Sequence, residues 1–174
     1  MASPSRAHSR SSGMPSGSGL GFALAFGLVL VLARPAVATG TRFVIIASAD
    51  APVTGVTLEE FQRLFQFRKA TWKAGAPLNV LLPAPGTPAR LYLLANVYHC
   101  DENALHRYLV EKQFRGDMDH PPLVAGSDAM AIETVAGSHG LVSLVPAESA
   151  GLAHVKVLKV EGKSSGEDGY PIVR

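Results

Sequence analysis

Apolar and polar positions between residues 43 and 160 follow two alternating rhythms. Residues 43–48 (FVIIAS) form an unbroken apolar run, the mark of a strand covered on both faces. Residues 50–55 read as a turn. Thr57-Leu58-Glu59-Glu60 spells a capping box, in which the Thr hydroxyl and the second Glu carboxylate each accept the other residue's backbone N–H. Leu58, Phe61, Leu64 and Phe65 then recur at helical spacing. Residues 68–77 hold Trp72 and Gly75 and read as a loop. Residues 78–82 form a second strand, stopped by Pro83 and Pro85.

A second helix starts at Thr87-Pro88. Thr is a good N-cap, and Pro fits the first helical turn, where its missing N–H is not needed. Leu91, Leu94, Ala95 and Tyr98 make its apolar stripe. Asp101 caps the next helix, with Leu105, Tyr108 and Leu109 facing inward. Residues 116–122 are a polar loop ending in prolines. Ser127 caps a shorter helix carrying Ile132, Val135 and Ala136. Residues 140–145 (GLVSLV) make a buried strand ended by Pro146, and residues 154–160 the last strand. From 161 to 174 Gly, Ser and charge predominate, which predicts a flexible tail. Strands interleaved with helices predict an α/β domain over residues 39–160, with a largely parallel sheet flanked by helices.

The start of the chain follows a different pattern. Residues 1–19 are rich in Ser, Gly and Pro and carry Arg6 and Arg10; residues 20–33 are 14 positions without a charge; Ala36-Val37-Ala38 follows. A positive region, a short apolar core and an A-x-A site predict a signal peptide over residues 1–38, cleaved after Ala38. A spanning helix needs about 20 apolar residues, more than this run holds on its own; an uncleaved anchor, with the run tilted and Arg34 snorkelling, is the alternative. The mature protein is expected to be periplasmic or secreted.

This segment also changes the reading of charge. The full chain has 16 basic and 14 acidic residues, a formal +2, but Arg6, Arg10 and Arg34 all precede residue 39 and no acidic residue does. The remainder is close to neutral, which removes any composition argument for nucleic acid. One cysteine excludes an intramolecular disulfide framework and any multi-cysteine zinc or iron–sulfur site. A length of 174 residues leaves room for one domain or two very small ones.

Three segments, in order, resemble the phosphate-binding subunits of ABC importers, which are type 2 periplasmic binding proteins. Residues 53–72 (VTGVTLEEFQRLFQFRKATW) are similar to that family's strand and helix ending in "hxxIFxGKxxxW", with Leu58, Leu64, Phe65, Lys69 and Trp72 at the matching positions. Gly86-Thr87 stands at the family's Ser-Gly-Thr helix start. Residues 138–146 (SHGLVSLVP) are similar to its "PGAIGYV" strand. The resemblance implies a short, single-lobe relative, since the family's long N-terminal half is absent. It also shows differences: Leu81, Pro83 and Pro85 stand where the family has Arg, Asp and Ser in "RxDGSGT".

The candidate ligand site is Gly86, Thr87 and Arg90. A helix start presents backbone N–H groups and the positive end of the helix dipole, which favour an anion. Arg90 lies in the first turn, and a guanidinium can grip a phosphate with two parallel hydrogen bonds. The competing reading makes Thr87 a helix cap and Arg90 a solvated side chain. Three weaker constellations stand beside it. His99, Cys100 and His106 lack the geometry of a nucleophile with its base, because adjacent helical residues point about 100° apart. His99, His106, His120 and His139, with Asp117 and Asp119, lack paired metal-ligand spacing. Arg68 and Lys69 can face a partner, while Trp72 covers the core.

Together these features predict an exported, non-enzymatic, solute-binding-like domain with no cofactor. Its expected partners are a small anion, phosphate or sulfate, and an ABC transporter or other envelope protein. The alternative is an envelope interaction module that keeps the fold without the ligand. A single lobe cannot enclose a ligand between two closing halves, so modest affinity is expected.

Overall fold

A computed structural model describes residues 40–68, 70–72, 75–118, 120–149 and 154–174. The expected signal peptide lies outside the described residues. In chain order the elements are β1 (Phe43–Ala47), β2 (Gly55–Val56), α1 (Leu58–Phe65), β3 (Asn79–Leu82), α2 (Pro88–Leu93), a π-helical turn (Leu94–Tyr98), α3 (Glu102–Phe114), β4 (Leu123–Val124), α4 (Asp128–Ala136), β5 (Leu141–Pro146), a 3-10 turn (Ala147–Ser149) and β6 (Lys156–Val160).

The strands form one six-stranded sheet in the order β2-β6-β1-β5-β3-β4. Parallel pairing holds on both flanks, β2 with β6 and β5 with β3 with β4. β1, in between, runs antiparallel to both β5 and β6. The sheet is thus mixed, with its parallel pairs on either side of β1. Neither two-residue strand, β2 or β4, is legible as an apolar run, because two residues are too few to show a period.

β1 shows why its run is continuous. Phe43, Ile45 and Ala47 enter one apolar cluster, with α1, α2 and Trp72. Val44 and Ile46 enter a second cluster on the other face, with Ala131 and Val135 of α4. A strand buried on both faces has no polar side to alternate with. The capping box forms as predicted: the Glu60 N–H donates to Thr57 Oγ1 and the Thr57 N–H to Glu60 Oε2. Trp72 is buried against the core, as its bulk predicts.

The C-terminal segment corrects the expectation of a flexible tail. Tyr170 and Ile172 are buried in the larger cluster. The Phe43 N–H donates to the Ile172 carbonyl, the Arg174 N–H donates to the Thr41 carbonyl, and Arg42 pairs with Val173. Two large apolar residues in an otherwise polar stretch suffice to anchor it, because each gains roughly 1.5–3 kcal/mol on burial.

Candidate functional site

β3 ends at Leu82, and the chain turns through residues 83–86 into α2. In open α/β sheets ligands sit outside the carboxyl ends of the parallel strands, and this turn lies there. Gly86 makes the turn: it adopts φ +80 with open space around its Cβ position, so backbone conformation alone calls for glycine.

Thr87 is the N-cap. Its hydroxyl accepts from the Arg90 N–H at 3.3 Å and donates to the Ala84 carbonyl at 2.7 Å. Its own N–H donates to the same carbonyl, and Pro88 has no N–H. Of the four backbone positions that open the helix, only Ala89 keeps an N–H outside these bonds, and Ala89 is fully buried.

Arg90 departs from both sequence readings. It is not solvated: the residue is 4% exposed. Nor is its fork open, since Nη2 lies 2.5 Å and Nε 3.2 Å from the two carboxylate oxygens of Glu102, the first residue of α3. The third nitrogen, Nη1, is buried without a hydrogen-bond partner. Glu102 is therefore the functional neighbour that sequence reasoning missed. An acidic residue in a first helical turn reads as a complement to the helix dipole, and nothing in the pattern links it to an arginine twelve positions earlier.

The adjacent strand end carries negative charge. α4 begins after β4, with Ser127 as its cap and Asp128 next. Burial pushes the Asp128 carboxyl up from its ordinary value, and the charge of Glu148, in the turn after β5, pushes the same way.

Cys100 is half-buried beside this region, just after His99, which closes the π-helical turn in a left-handed conformation at φ 51. Burial, then the charges of Asp101 and Glu102, raise the thiol's pKa, which disfavours the reactive thiolate. No three His, Cys, Asp or Glu side chains converge on a metal-sized site among the described residues. Asp119 lies outside them. His139 pairs with Asp50 at 3.0 Å, away from His99 and His106 in the chain.

No family model matches the chain, and no curated protein matches it. Solved structures do. A phosphate ABC transporter substrate-binding protein with bound phosphate from Clostridium perfringens superposes with a TM-score of 0.61 at 15% identity, over 78% of this chain and 54% of that one. An ABC-type phosphate transport receptor from Vibrio cholerae gives 0.57 at 15% identity, over 73% and 49%. PstS from Borrelia burgdorferi gives 0.56 at 16% identity, over 72% and 49%. The chain spans about half the length of these structures, and over that half it has the fold of the phosphate-type substrate-binding proteins.

Proposed function

We propose that the protein is an exported, non-enzymatic solute-binding domain for a small oxyanion of the phosphate or sulfate class, met at Gly86, Thr87 and Arg90 and serving an ABC-type importer. One observation carries the reading: Arg90 is a buried cation in the first turn of α2 whose Nη1 has no partner. A buried N–H of a charged group left without an acceptor is costly, and an anion oxygen would satisfy it. Glu102, with 44% of its side chain exposed, can turn into solvent and yield the other two donors. The fold shared with phosphate-binding proteins supports the ligand class. Affinity is modest unless a second copy or another protein covers the anion.

A second reading is favoured by a different observation. Thr87's hydroxyl and most of the helix-start N–H groups are already engaged within the protein. In that reading the domain docks to another envelope protein and has no solute.

Calorimetry with millimolar phosphate and sulfate at low salt separates the two. The first reading expects weak binding to the native protein, several-fold tighter binding to Glu102→Gln, and none to Arg90→Met. Silence from both the native protein and folded Glu102→Gln removes it and leaves the docking domain, to be sought by pull-down from the envelope fraction.

A further inference from the structure

At the opposite end of the strands from α2, a cavity of about 710 Å³ opens where β3, β4 and β5 begin. The first residues of those strands, Asn79, Leu123 and Leu141, all line it. Phe67, Leu78, Val80 and Met118 add further apolar wall. The volume lies within the roughly 300–1,000 Å³ of small-molecule sites, which are also mainly apolar with a few polar groups. Phe67 is held at φ 55, a left-handed conformation rare for a residue with a bulky side chain. That conformation closes the C-terminus of α1, where the Arg68 N–H donates to the Arg63 carbonyl, and it sets Phe67 and Arg68 at the two cavities.

A smaller, polar cavity of about 280 Å³ adjoins it, lined by Arg68, Tyr108, Glu111, Lys112, Arg115 and Asp117. Asp117 borders both cavities, and Phe67 and Arg68 are consecutive. Three cations here face two carboxylates. Arg115 is paired with Glu111, and Lys112 lies 3.7 Å from Asp117 and 5.6 Å from the centre of the Tyr108 ring. Arg68 lines the same cavity as Tyr108 and has no carboxylate partner among the described residues. The negative end of the α3 dipole accounts for Lys112 and Arg115 but not for Arg68, which arrives from the loop after α1.

We propose that the two cavities form one binding site for a small anionic amphiphile. Its aliphatic chain lies against Phe67, Leu78, Val80 and Met118, and its head group meets Arg68 and Lys112. The site is independent of the oxyanion reading, since it lies at the other end of β3 and shares no residue with Gly86, Thr87 or Arg90.

The probes are decanoate, kept below its micelle concentration, and decylammonium, which has the same chain and the opposite charge. Calorimetry on the whole protein is expected to show decanoate binding at least tenfold tighter than decylammonium. The double variant Arg68→Gln, Lys112→Gln abolishes that preference, and Met118→Glu weakens decanoate at least tenfold. Millimolar phosphate leaves decanoate affinity unchanged. Absence of decanoate binding, equal affinity for the two probes, or an undiminished preference in the folded double variant overturns the proposal.

Discussion

Arg90 and Glu102 hold the two ends of a buried-to-exposed ion pair: the guanidinium is 5% exposed and the carboxylate 44%. The pair ties the first turn of α2 to the first residue of α3 across the π-helical turn. Its asymmetry decides what each substitution does. Glu102→Gln leaves a largely buried cation without its counter-charge. Arg90→Met keeps most of the aliphatic packing and leaves only a carboxylate that can solvate itself. Breaking a fully buried pair costs about 3–5 kcal/mol. With one partner half-exposed, Glu102→Gln is expected to cost about 2 kcal/mol and Arg90→Met about 1 kcal/mol. Urea unfolding of the two variants checks the order; a larger loss in Arg90→Met contradicts this account of the pair.

Tyr170 carries the opposite lesson. Its ring is buried in the larger cluster, and its hydroxyl has no hydrogen-bond partner. An unsatisfied buried hydroxyl costs roughly 1–3 kcal/mol, so removing it relieves more than it loses. Tyr170→Phe is expected to raise stability by about 1 kcal/mol. Ile172→Ala, which empties a fully buried site in the same segment, is expected to lower it by about 2–4 kcal/mol. Thermal unfolding distinguishes these from a loose tail, in which both changes would be silent.

The same tyrosines set the alkaline limit of the fold. Burial raises the phenol pKa of Tyr92, Tyr98, Tyr108 and Tyr170, most strongly at Tyr98 and Tyr170. In each case the folded state prefers the neutral form. Their contribution is fully present below the ordinary tyrosine pKa near 10 and is lost as pH rises above it. Stability is therefore expected to fall steeply above pH ~10, and less steeply in Tyr170→Phe. Absorbance titration of phenolate, followed alongside circular dichroism, should show ionisation and unfolding together.

Much of this fold is legible in the sequence because its signals are local. The FVIIA run of β1, the Thr57–Glu60 box, the caps at Thr87, Asp101 and Ser127 and the apolar β5 each depend on neighbours within a few residues. What escapes is long-range or sparse. β2 and β4 are two residues long, and their pairing is set by the strands beside them. The tail is fixed by the burial of Tyr170 and Ile172 and by backbone bonds that join Ile172 and Arg174 to Phe43 and Thr41, more than a hundred positions away. The candidate site divides the same way. Helix starts are readable, so Thr87 falls where the sequence places it. The state of Arg90 depends on Glu102, and no local pattern encodes that pairing.

Cys100 offers a direct readout of that pairing. Burial comes first in raising its thiol pKa, with the charges of Asp101 and Glu102 adding to it; Arg107 and Arg90 act in the other direction. Thiolate is the reactive form, so the native protein is expected to react slowly with a thiol reagent at pH 7.5 and faster as pH rises. Glu102→Gln removes one of the raising charges and leaves Arg90 unopposed, which should speed labelling at fixed pH by several-fold. Arg90→Met should slow it. An oxyanion seated on Arg90 would screen the guanidinium and slow the Glu102→Gln variant again, in proportion to site occupancy. Labelling rates identical in all three proteins would mean that the Arg90 and Glu102 charges do not reach the thiol.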